Sequence, residues 1–227
     1  MQVTQHGDYL TKLTKWRMMN CYLVREDDGL TLIDALMPNS EDGILQAAQQ
    51  LGAPIVRILL THAHVDHIGS VDALRAKLPD AELIVPARSA PLLAGDLTLT
   101  PDEEAKGKLR GGYPGINTIP DRTLQPGDRV GSLEAYAAPG HTPGQMAYLD
   151  TRDRTLIAGD SWQTLGGLAF SGQWTWFPMP AMATWHKPTA LETARALRAL
   201  DPARLAVGHG KVLESPLPAM DRAIKKA

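Results

Sequence analysis

The chain has 227 residues and a formal net charge of −2, from 23 basic and 25 acidic side chains. This even balance gives no electrostatic attraction to nucleic acid or to an anionic membrane surface, so we expect a small-molecule substrate as the partner. Hydrophobic residues make up 44% of the chain, enough to bury a substantial core, and we predict one domain spanning residues 1–227.

The single cysteine and the first residues bear on the compartment. Cys21 has no second cysteine with which to form a disulfide, which fits a reducing environment. The N-terminal residues lack the basic segment and apolar run of a secretion signal, and no later stretch has the length to cross a bilayer. We therefore expect a cytoplasmic protein with no membrane contact.

The first half of the chain alternates predicted strands and helices. The Asp28-Gly29 pair between two apolar runs predicts a β-hairpin. Further elements follow in order: a helix over 41–51, a strand over 55–60, a helix over 71–78, a strand over 82–86 and a helical turn over 89–93. Residues 95–120 are rich in glycine and predict an irregular insertion, either a lid near a site or a surface excursion.

The second half again begins with short strands. The predicted strands lie at 122–124, 133–138, 145–149, 155–158 and 205–207. Residues 189–200 repeat leucine and alanine at helical spacing after Pro188, which predicts a helix. Strands followed by helices in both halves predict an α/β fold with two stacked sheets covered by helices on both outer faces.

Three histidines and one aspartate lie within six residues, directly after the predicted strand over 55–60. In extended backbone, residues two apart point the same way, so His62 and His64 can reach one metal ion. The turn at Asp66 and His67 then directs two ligands toward a second ion. Imidazole and carboxylate ligands without thiolate suit Zn²⁺, Fe²⁺ or Mn²⁺ in a hydrolytic centre. The alternative, a polar loop whose histidines cap a helix, leaves such close spacing unexplained.

Three further motifs place His141, Asp160 and His209 at strand-to-loop junctions, each beside glycine. Taken singly, each of these residues would be an ordinary loop histidine or turn residue. Five of the seven histidines of the chain, however, lie in these motifs and in the loop over 62–67. Together they form a set of seven candidate metal ligands.

The order and spacing of these seven residues resemble the metallo-β-lactamase superfamily over nearly the whole chain. The resemblance implies an αββα four-layer sandwich of two mixed β-sheets flanked by helices, with two metal ions at one edge. It implies the following ligands: His62, His64 and His141 on the first metal, Asp66, His67 and His209 on the second, and Asp160 bridging both.

The same resemblance implies a reaction. Two divalent ions, which we expect to be Zn²⁺ with Fe or Mn as alternatives, lower the pKa of a shared water and supply hydroxide at neutral pH. We predict a dinuclear metal-dependent hydrolase that attacks a carboxylic ester, lactone or thioester with a metal-bridging hydroxide. Asp66 is the predicted catalytic side chain, passing a proton to the leaving group. Asp34 matches a position that orients a ligand in relatives, or else it is a turn residue at a strand end.

Differences from particular branches of the superfamily narrow the range of expected substrates. Asp160 lies where the best-known class B lactamases carry cysteine, and Gln163 lies where acyl-homoserine lactonases have tyrosine. Only residues 210–227 follow His209, fewer than the helical segment that binds glutathione in hydroxyacylglutathione hydrolases (glyoxalase II). The alternative function is an oxidoreductase similar to mononuclear iron persulfide dioxygenases. A glyoxalase II-like thioesterase and a β-lactamase rank below it.

Aromatic residues concentrate after Asp160. Four of the five tryptophans and both phenylalanines lie between it and the predicted helix over 189–200. An apolar segment that starts next to a metal ligand could cover the cleft and accept an acyl or aromatic group. The candidate substrate-binding residues are Trp162, Trp176, Phe177 and His186. The alternatives are a homodimer contact or plain core for this segment and a structural role for His186.

Overall fold

The structure, a computed structural model, describes all 227 residues and contains two compact units. Unit 1 comprises Met1–Asp96 and Gly112–Leu124, and unit 2 comprises Leu97–Gly111 and Gln125–Ala227. Each unit has its own larger sheet and its own helices. The single domain over residues 1–227 stays a prediction. None of the helices has the length and apolar composition needed to cross a membrane.

Unit 1 contains a seven-stranded sheet whose strands follow chain order. The strands are β1 (Gln2–His6), β2 (Leu10–Lys15), β3 (Met19–Glu26), β4 (Gly29–Ile33), β5 (Ile55–Leu59), β6 (Glu82–Pro86) and β7 (Arg122–Leu124). The first four pair antiparallel, and β4 to β7 pair parallel, so the sheet is mixed. The hairpin predicted at Asp28-Gly29 is confirmed as β3–β4.

Four helices connect the parallel strands of unit 1. They are α1 (Glu41–Gln50), α2 (Val65–Ile68), α3 (Val71–Lys77) and α4 (Ser89–Leu93). Helix α1 buries Ile44, Ala47 and Ala48 on one face, as its helical spacing of apolar residues predicts. The strands and helices predicted between residues 41 and 93 are confirmed to within one residue at each end.

Unit 2 contains a six-stranded sheet in the order β15-β14-β11-β10-β9-β8 and a small two-stranded sheet, β12-β13. Its strands are β8 (Arg129–Val130), β9 (Leu133–Ala137), β10 (Met146–Asp150), β11 (Thr155–Ile157), β12 (Trp162–Gln163), β13 (Ala169–Phe170), β14 (Arg204–Ala206) and β15 (Leu213–Glu214). Its helices are α5 (Pro101–Glu104), α6 (Met179–Met182), α7 (Lys187–Ala199) and α8 (Leu217–Lys225). Mixed sheets with accompanying helices in both units confirm the predicted α/β class.

The core of unit 2 forms where α7 and α8 pack on the sheet strands. Helix α7 contributes Ala190, Ala194 and Leu197, which recur at helical spacing, and α8 contributes Met220. The ring of Trp162 is completely buried in the same cluster. This packing places the start of α7 and the last turns of α8 beside the β12–β13 hairpin.

Two predictions need correction. The region 95–120 is not wholly irregular, because Thr100 and Glu103 form a capping box that starts helix α5 at Pro101. The long helix predicted over 189–200 begins earlier, at Lys187, because the His186 side chain accepts a hydrogen bond from the Thr189 backbone N–H. The β1–β2 hairpin and helix α8 have no counterpart in the sequence-based prediction.

Candidate metal centre

In unit 1 the candidate ligands lie on the loop that follows β5. His62 and His64 precede α2, and His64 occupies the N-cap position of that helix, whose first residues include Asp66 and His67. The three histidines are buried, whereas Asp66 is partly exposed. The ligand atoms of His62 and His64 lie within 4.8 Å of each other, and the same holds for Asp66 and His67. The predicted loop at a strand end is confirmed.

Asp34, which follows β4, connects two of these histidines. Its Oδ2 lies 2.7 Å from His67 Nδ1 and accepts a hydrogen bond of 2.8 Å from the Thr61 hydroxyl. Thr61 Oγ1 in turn lies 3.0 Å from His62 Nδ1. Because the Thr61 hydroxyl donates to Asp34, His62 Nδ1–H donates to Thr61, and His67 Nδ1–H donates to the carboxylate. Both rings therefore carry a proton on Nδ1, which makes Nε2 the nitrogen that can bind a metal.

The backbone around Asp34 is folded tightly against the ligand loop. Asp34 has a φ of 61°, a left-handed conformation that aspartate and asparagine tolerate better than most residues. The next residue, Ala35, donates its N–H to the carbonyl of His67 at 2.6 Å. A Cβ on Gly69 would lie 2.4 Å from the backbone nitrogen of Pro38, so only glycine fits there. These contacts fix the position of α2 relative to Asp34.

Tyr113, which the sequence analysis did not single out, packs on this loop. Its ring meets the His64 ring edge to face, with 4.6 Å between centroids. The carbonyl of the preceding Gly112 accepts a hydrogen bond from the Val65 N–H at 3.0 Å. Burial raises the pKa of Tyr113, so the phenol stays protonated at neutral pH. The segment after residue 111 thus supports the ligand loop of unit 1.

Unit 2 brings together the other three predicted ligands. His141 follows β9, Asp160 lies in a 3₁₀ turn after β11, and His209 follows β14. All three are at most 5% exposed. The Asp160 Oδ2 atom lies 3.4 Å from His141 Nε2 and 3.1 Å from His209 Nε2. One carboxylate thus approaches the Nε2 atoms of two imidazoles, an arrangement that suits a bridging ligand.

Thr184 orients His141 as Thr61 orients His62. Its Oγ1 lies 3.2 Å from His141 Nδ1 and within 2.8 Å of two carbonyl oxygens, those of Ser171 and Pro180. The Thr184 hydroxyl donates its proton to these carbonyls. Its oxygen therefore accepts a hydrogen bond from His141 Nδ1–H. Nε2 is again the nitrogen left for a metal. Thr184 lies 43 residues from His141, and no local pattern predicts the pair.

The four candidate substrate-binding residues occupy different surroundings. Phe177 lies 5.8 Å from the ring of His209, and the neighbouring Trp176 is 74% exposed. Trp162 has no exposed surface and packs in the core of unit 2, which favours the core alternative for this residue. His186 caps α7 through its contact with Thr189, the structural alternative for this residue.

The donor set fits borderline divalent ions. It consists of imidazoles and carboxylates, and three of the imidazoles have Nδ1 within hydrogen-bond distance of an oxygen atom. All seven predicted ligands belong to groups of side chains that could hold a metal ion. Burial raises the pKa of the only cysteine, Cys21, so it stays a thiol within β3 and supplies no thiolate ligand.

Comparison with known proteins identifies the family. The sequence model of the metallo-beta-lactamase superfamily matches residues 14–209. The chain belongs to this superfamily. The match extends from β2 to His209 and therefore includes every predicted metal ligand. The resemblance found in the sequence motifs is thereby confirmed.

Two relatives illustrate what this member of the superfamily is similar to. The chain is 49% identical over 231 residues to the uncharacterized protein YobT of Bacillus subtilis (strain 168), covering 100% of this chain and 99% of that protein. It is 30% identical over 168 residues to a hydroxyacylglutathione hydrolase of Stenotrophomonas maltophilia (strain R551-3), covering 72% of this chain and 54% of that enzyme. It thus spans about half of that hydrolase.

Two solved structures support the fold. The di-iron-bound form of TTHA1623 matches with a TM-score of 0.65 and 28% identity, covering 91% of this chain and 94% of that one. The metallo-beta-lactamase DIM-1 matches with a TM-score of 0.69 and 15% identity, covering 99% of this chain and 95% of that one. The predicted fold class, an αββα sandwich of mixed sheets and flanking helices, is confirmed.

Proposed function

We propose that this superfamily member is a dinuclear metal-dependent hydrolase of a carboxylic ester, lactone or thioester. The observation that carries the proposal is the seven-residue donor set of buried imidazoles and carboxylates. Membership of the superfamily implies the ligands that we propose: His62, His64 and His141 for one ion, Asp66, His67 and His209 for the other, and Asp160 for both. The similarity to a hydroxyacylglutathione hydrolase supports an acyl substrate.

When bound, two divalent ions supply an ionised water as nucleophile and a Lewis acid for the substrate carbonyl. The side chains around the ligands have a separate task, which is to fix the orientation of the imidazoles and to keep a proton on Nδ1. Asp34 does this for His67 directly and for His62 through Thr61. These hydrogen bonds fix the orientation of each ring and keep a proton on Nδ1, so Nε2 is the nitrogen that would bind the metal. We propose zinc as the metal, with iron as the alternative because a similar structure is a di-iron form.

Asp66 is the proposed proton carrier. Its carboxylate Oδ2 lies 3.8 Å from His67 Nε2, and the side chain is 20% exposed, so it borders both the ligand cluster and solvent. From that position it can pass a proton to the leaving group as the acyl bond breaks. Because Asp66 is also a proposed ligand, Asp66→Asn is assayed at saturating metal, and the turnover rate per metal-loaded chain should fall at least tenfold. Full activity in this variant would contradict the proposal that Asp66 transfers a proton to the leaving group.

The surroundings of His209 suggest how a substrate is accommodated. We propose that Phe177 and Trp176 provide an apolar wall for an acyl or aromatic group of a small-molecule substrate. Trp174, Met179 and Met182 are also largely exposed in the same segment. A homodimer contact is the alternative for these side chains, and the molecular mass in solution distinguishes the two.

The decisive experiment is elemental analysis of protein purified without added metal, followed by assays with p-nitrophenyl acetate, δ-valerolactone and an acyl thioester. We expect two metal ions per chain, hydrolysis of at least one substrate, loss of activity on chelation and its return on adding metal. Hydrolysis that survives complete chelation would contradict the proposal. One iron per chain with oxygen consumption on a persulfide would replace it with the oxidoreductase function.

A further inference from the structure

Unit 2 contains a cavity that none of the seven candidate ligands lines. It has a volume of about 950 Å³ and lies between the β12–β13 hairpin, the start of α7 and α8. We call it the α7–α8 cavity. Its volume is in the range of sites that bind small organic molecules.

Part of the lining is apolar. Leu168 and Phe170 come from the hairpin region, and Pro188 and Leu191 come from α7. Leu168 and Leu191 pack against the core of unit 2 but remain only partly buried. Apolar side chains that are exposed inside a concave surface become more stable when an apolar ligand covers them.

The rest of the lining is positively charged. Arg222, in the last turn of α8, and Lys226, the C-cap residue of that helix, lie four residues apart and both line the cavity. Lys187, at the start of α7, lies 5.0 Å above the ring of Trp174. No acidic side chain lines the cavity, and the terminal carboxylate of Ala227 at one end leaves the balance of charge positive. Three side-chain cations beside an apolar surface match a ligand with an apolar body and an anionic head group.

The backbone favours a carboxylate over a phosphate as that head group. Phosphates bind where several backbone N–H groups converge, most often at a helix N-terminus. Two of the first three residues of α7 offer no N–H to a phosphate, because Pro188 has none and the Thr189 N–H donates to His186 Nδ1 at 3.3 Å. Arg222 and Lys226 lie near the C-terminus of α8, whose free carbonyls disfavour a dianion more than a monoanion.

We propose that the α7–α8 cavity binds an amphiphilic carboxylate of the fatty-acid type. Its chain lies against Leu168, Phe170 and Leu191, and its carboxylate pairs with Arg222 and Lys226. Gln173 links the walls by donating a hydrogen bond of 2.6 Å from Nε2 to the carbonyl of Ala223, so the hairpin side and α8 form one preformed site. This site does not depend on the proposed hydrolase activity.

Isothermal titration of the whole chain with decanoate tests the proposal without any turnover assay. We expect one molecule bound per chain with a dissociation constant on the order of 0.1 mM, as for a ligand of this size. Decanol, which lacks the charge, should bind about tenfold more weakly. No binding of decanoate at millimolar concentration would overturn the proposal, and tighter binding of decyl phosphate would overturn the choice of a carboxylate.

Substitutions locate the site. Arg222→Glu and Lys226→Glu should each weaken decanoate binding about tenfold. Lys225→Glu is the matched control, because this neighbouring lysine does not line the cavity, and its effect should stay within about twofold. Ala219→Trp should block the cavity and abolish binding. Equal effects of the three charge reversals, or undisturbed binding to the Ala219→Trp variant, would contradict the assignment.

Discussion

The two units hold their candidate ligands in different ways. In unit 1, four ligands lie within six residues, and one carboxylate, Asp34, orients two imidazoles. In unit 2, the three ligands lie on separate turns between residues 141 and 209, and Thr184 orients His141 alone. Replacing the orienting side chain of unit 1, Asp34, should therefore disturb two ligands. Replacing the orienting side chain of unit 2, Thr184, should disturb one.

The largest effect is expected at Asp160. Its carboxylate lies within 3.4 Å of the Nε2 atoms of both His141 and His209, so every ligand of unit 2 is involved. Asp160→Asn should lower hydrolysis more than about 100-fold and reduce the metal content, because an amide is a weaker ligand. The measurements are the rate of ester hydrolysis and elemental analysis. Asp150→Asn is the control, since Asp150 is equally buried but pairs with Arg152. A variant at position 160 that keeps both ions and full rate would contradict the bridging role.

Asp34→Asn should come next, with a loss of about 10- to 100-fold in metal affinity. Asparagine tolerates the left-handed backbone at this position, so the loop conformation should persist. Its amide, however, places a donor where the carboxylate accepted from Thr61 and His67, and both imidazoles lose their orientation. Competition with a chelator measures the affinity, and urea unfolding shows whether stability has changed.

Thr61→Ser provides the matched control for that variant. Serine retains the hydroxyl that connects Asp34 to His62, so metal affinity should remain within about twofold of wild type. A loss as large as that of Asp34→Asn would mean that packing of the threonine methyl group, and not the hydrogen bond, supports the ligand. The relay through Thr61 would then be wrong.

Thr184→Val should have a smaller effect, about three- to tenfold in metal affinity. The substitution keeps the shape of the side chain but removes the acceptor for His141 Nδ1, and it affects one ligand only. The same chelator competition measures it, with Thr184→Ser as the control that keeps the hydroxyl. A loss equal to that of Asp34→Asn would show that a side chain orienting two imidazoles matters no more than one orienting a single imidazole. The proposed difference between the units would then be wrong.

The same difference explains how much of the site the sequence predicts. The ligands of unit 1 can be found from local spacing, because all four lie in one loop after a recognisable strand. His141, Asp160 and His209 are ordinary turn residues on their own and need the family pattern. Thr184 has no local signal at all, because its contact joins residues 43 positions apart.

Helices and strands, like the ligands, can be predicted where their signal is local. Helix α1 has a periodic apolar pattern and strand β5 is a continuous apolar run, and the sequence predicts both to within one residue. Helix α5 was missed although Thr100, Pro101 and Glu103 form a capping signal, because its four residues bury no side chain. The strands of the β12–β13 hairpin have two residues each, too few for an alternating pattern. Tertiary contacts, and not local preference, determine such short elements.

The smallest effect is expected at Asp72, which tests whether unit 1 also uses a carboxylate to hold a loop outside the ligand site. The Asp72 carboxylate accepts hydrogen bonds from the backbone N–H groups of Asn117 and Thr118 and from both side chains. Burial alone would raise the pKa of Asp72, but these hydrogen bonds lower it below its ordinary value. A lowered pKa in the folded state means that the charged form stabilises the fold above the unfolded pKa, and that this contribution is lost as the pH falls through the folded pKa.

Asp72→Asn should therefore lower the free energy of unfolding by about 1 kcal/mol at pH 7, a value reduced for the partial exposure of the side chain. The difference between variant and wild type should shrink as the pH falls below about 4, because protonated aspartate resembles asparagine. Urea unfolding from pH 7 to pH 3 measures this, and Asp80→Asn, at an exposed position of the same unit, is the control. A difference that stays constant with pH would mean that the side-chain shape, and not the charge of Asp72, holds the 117–118 segment in place.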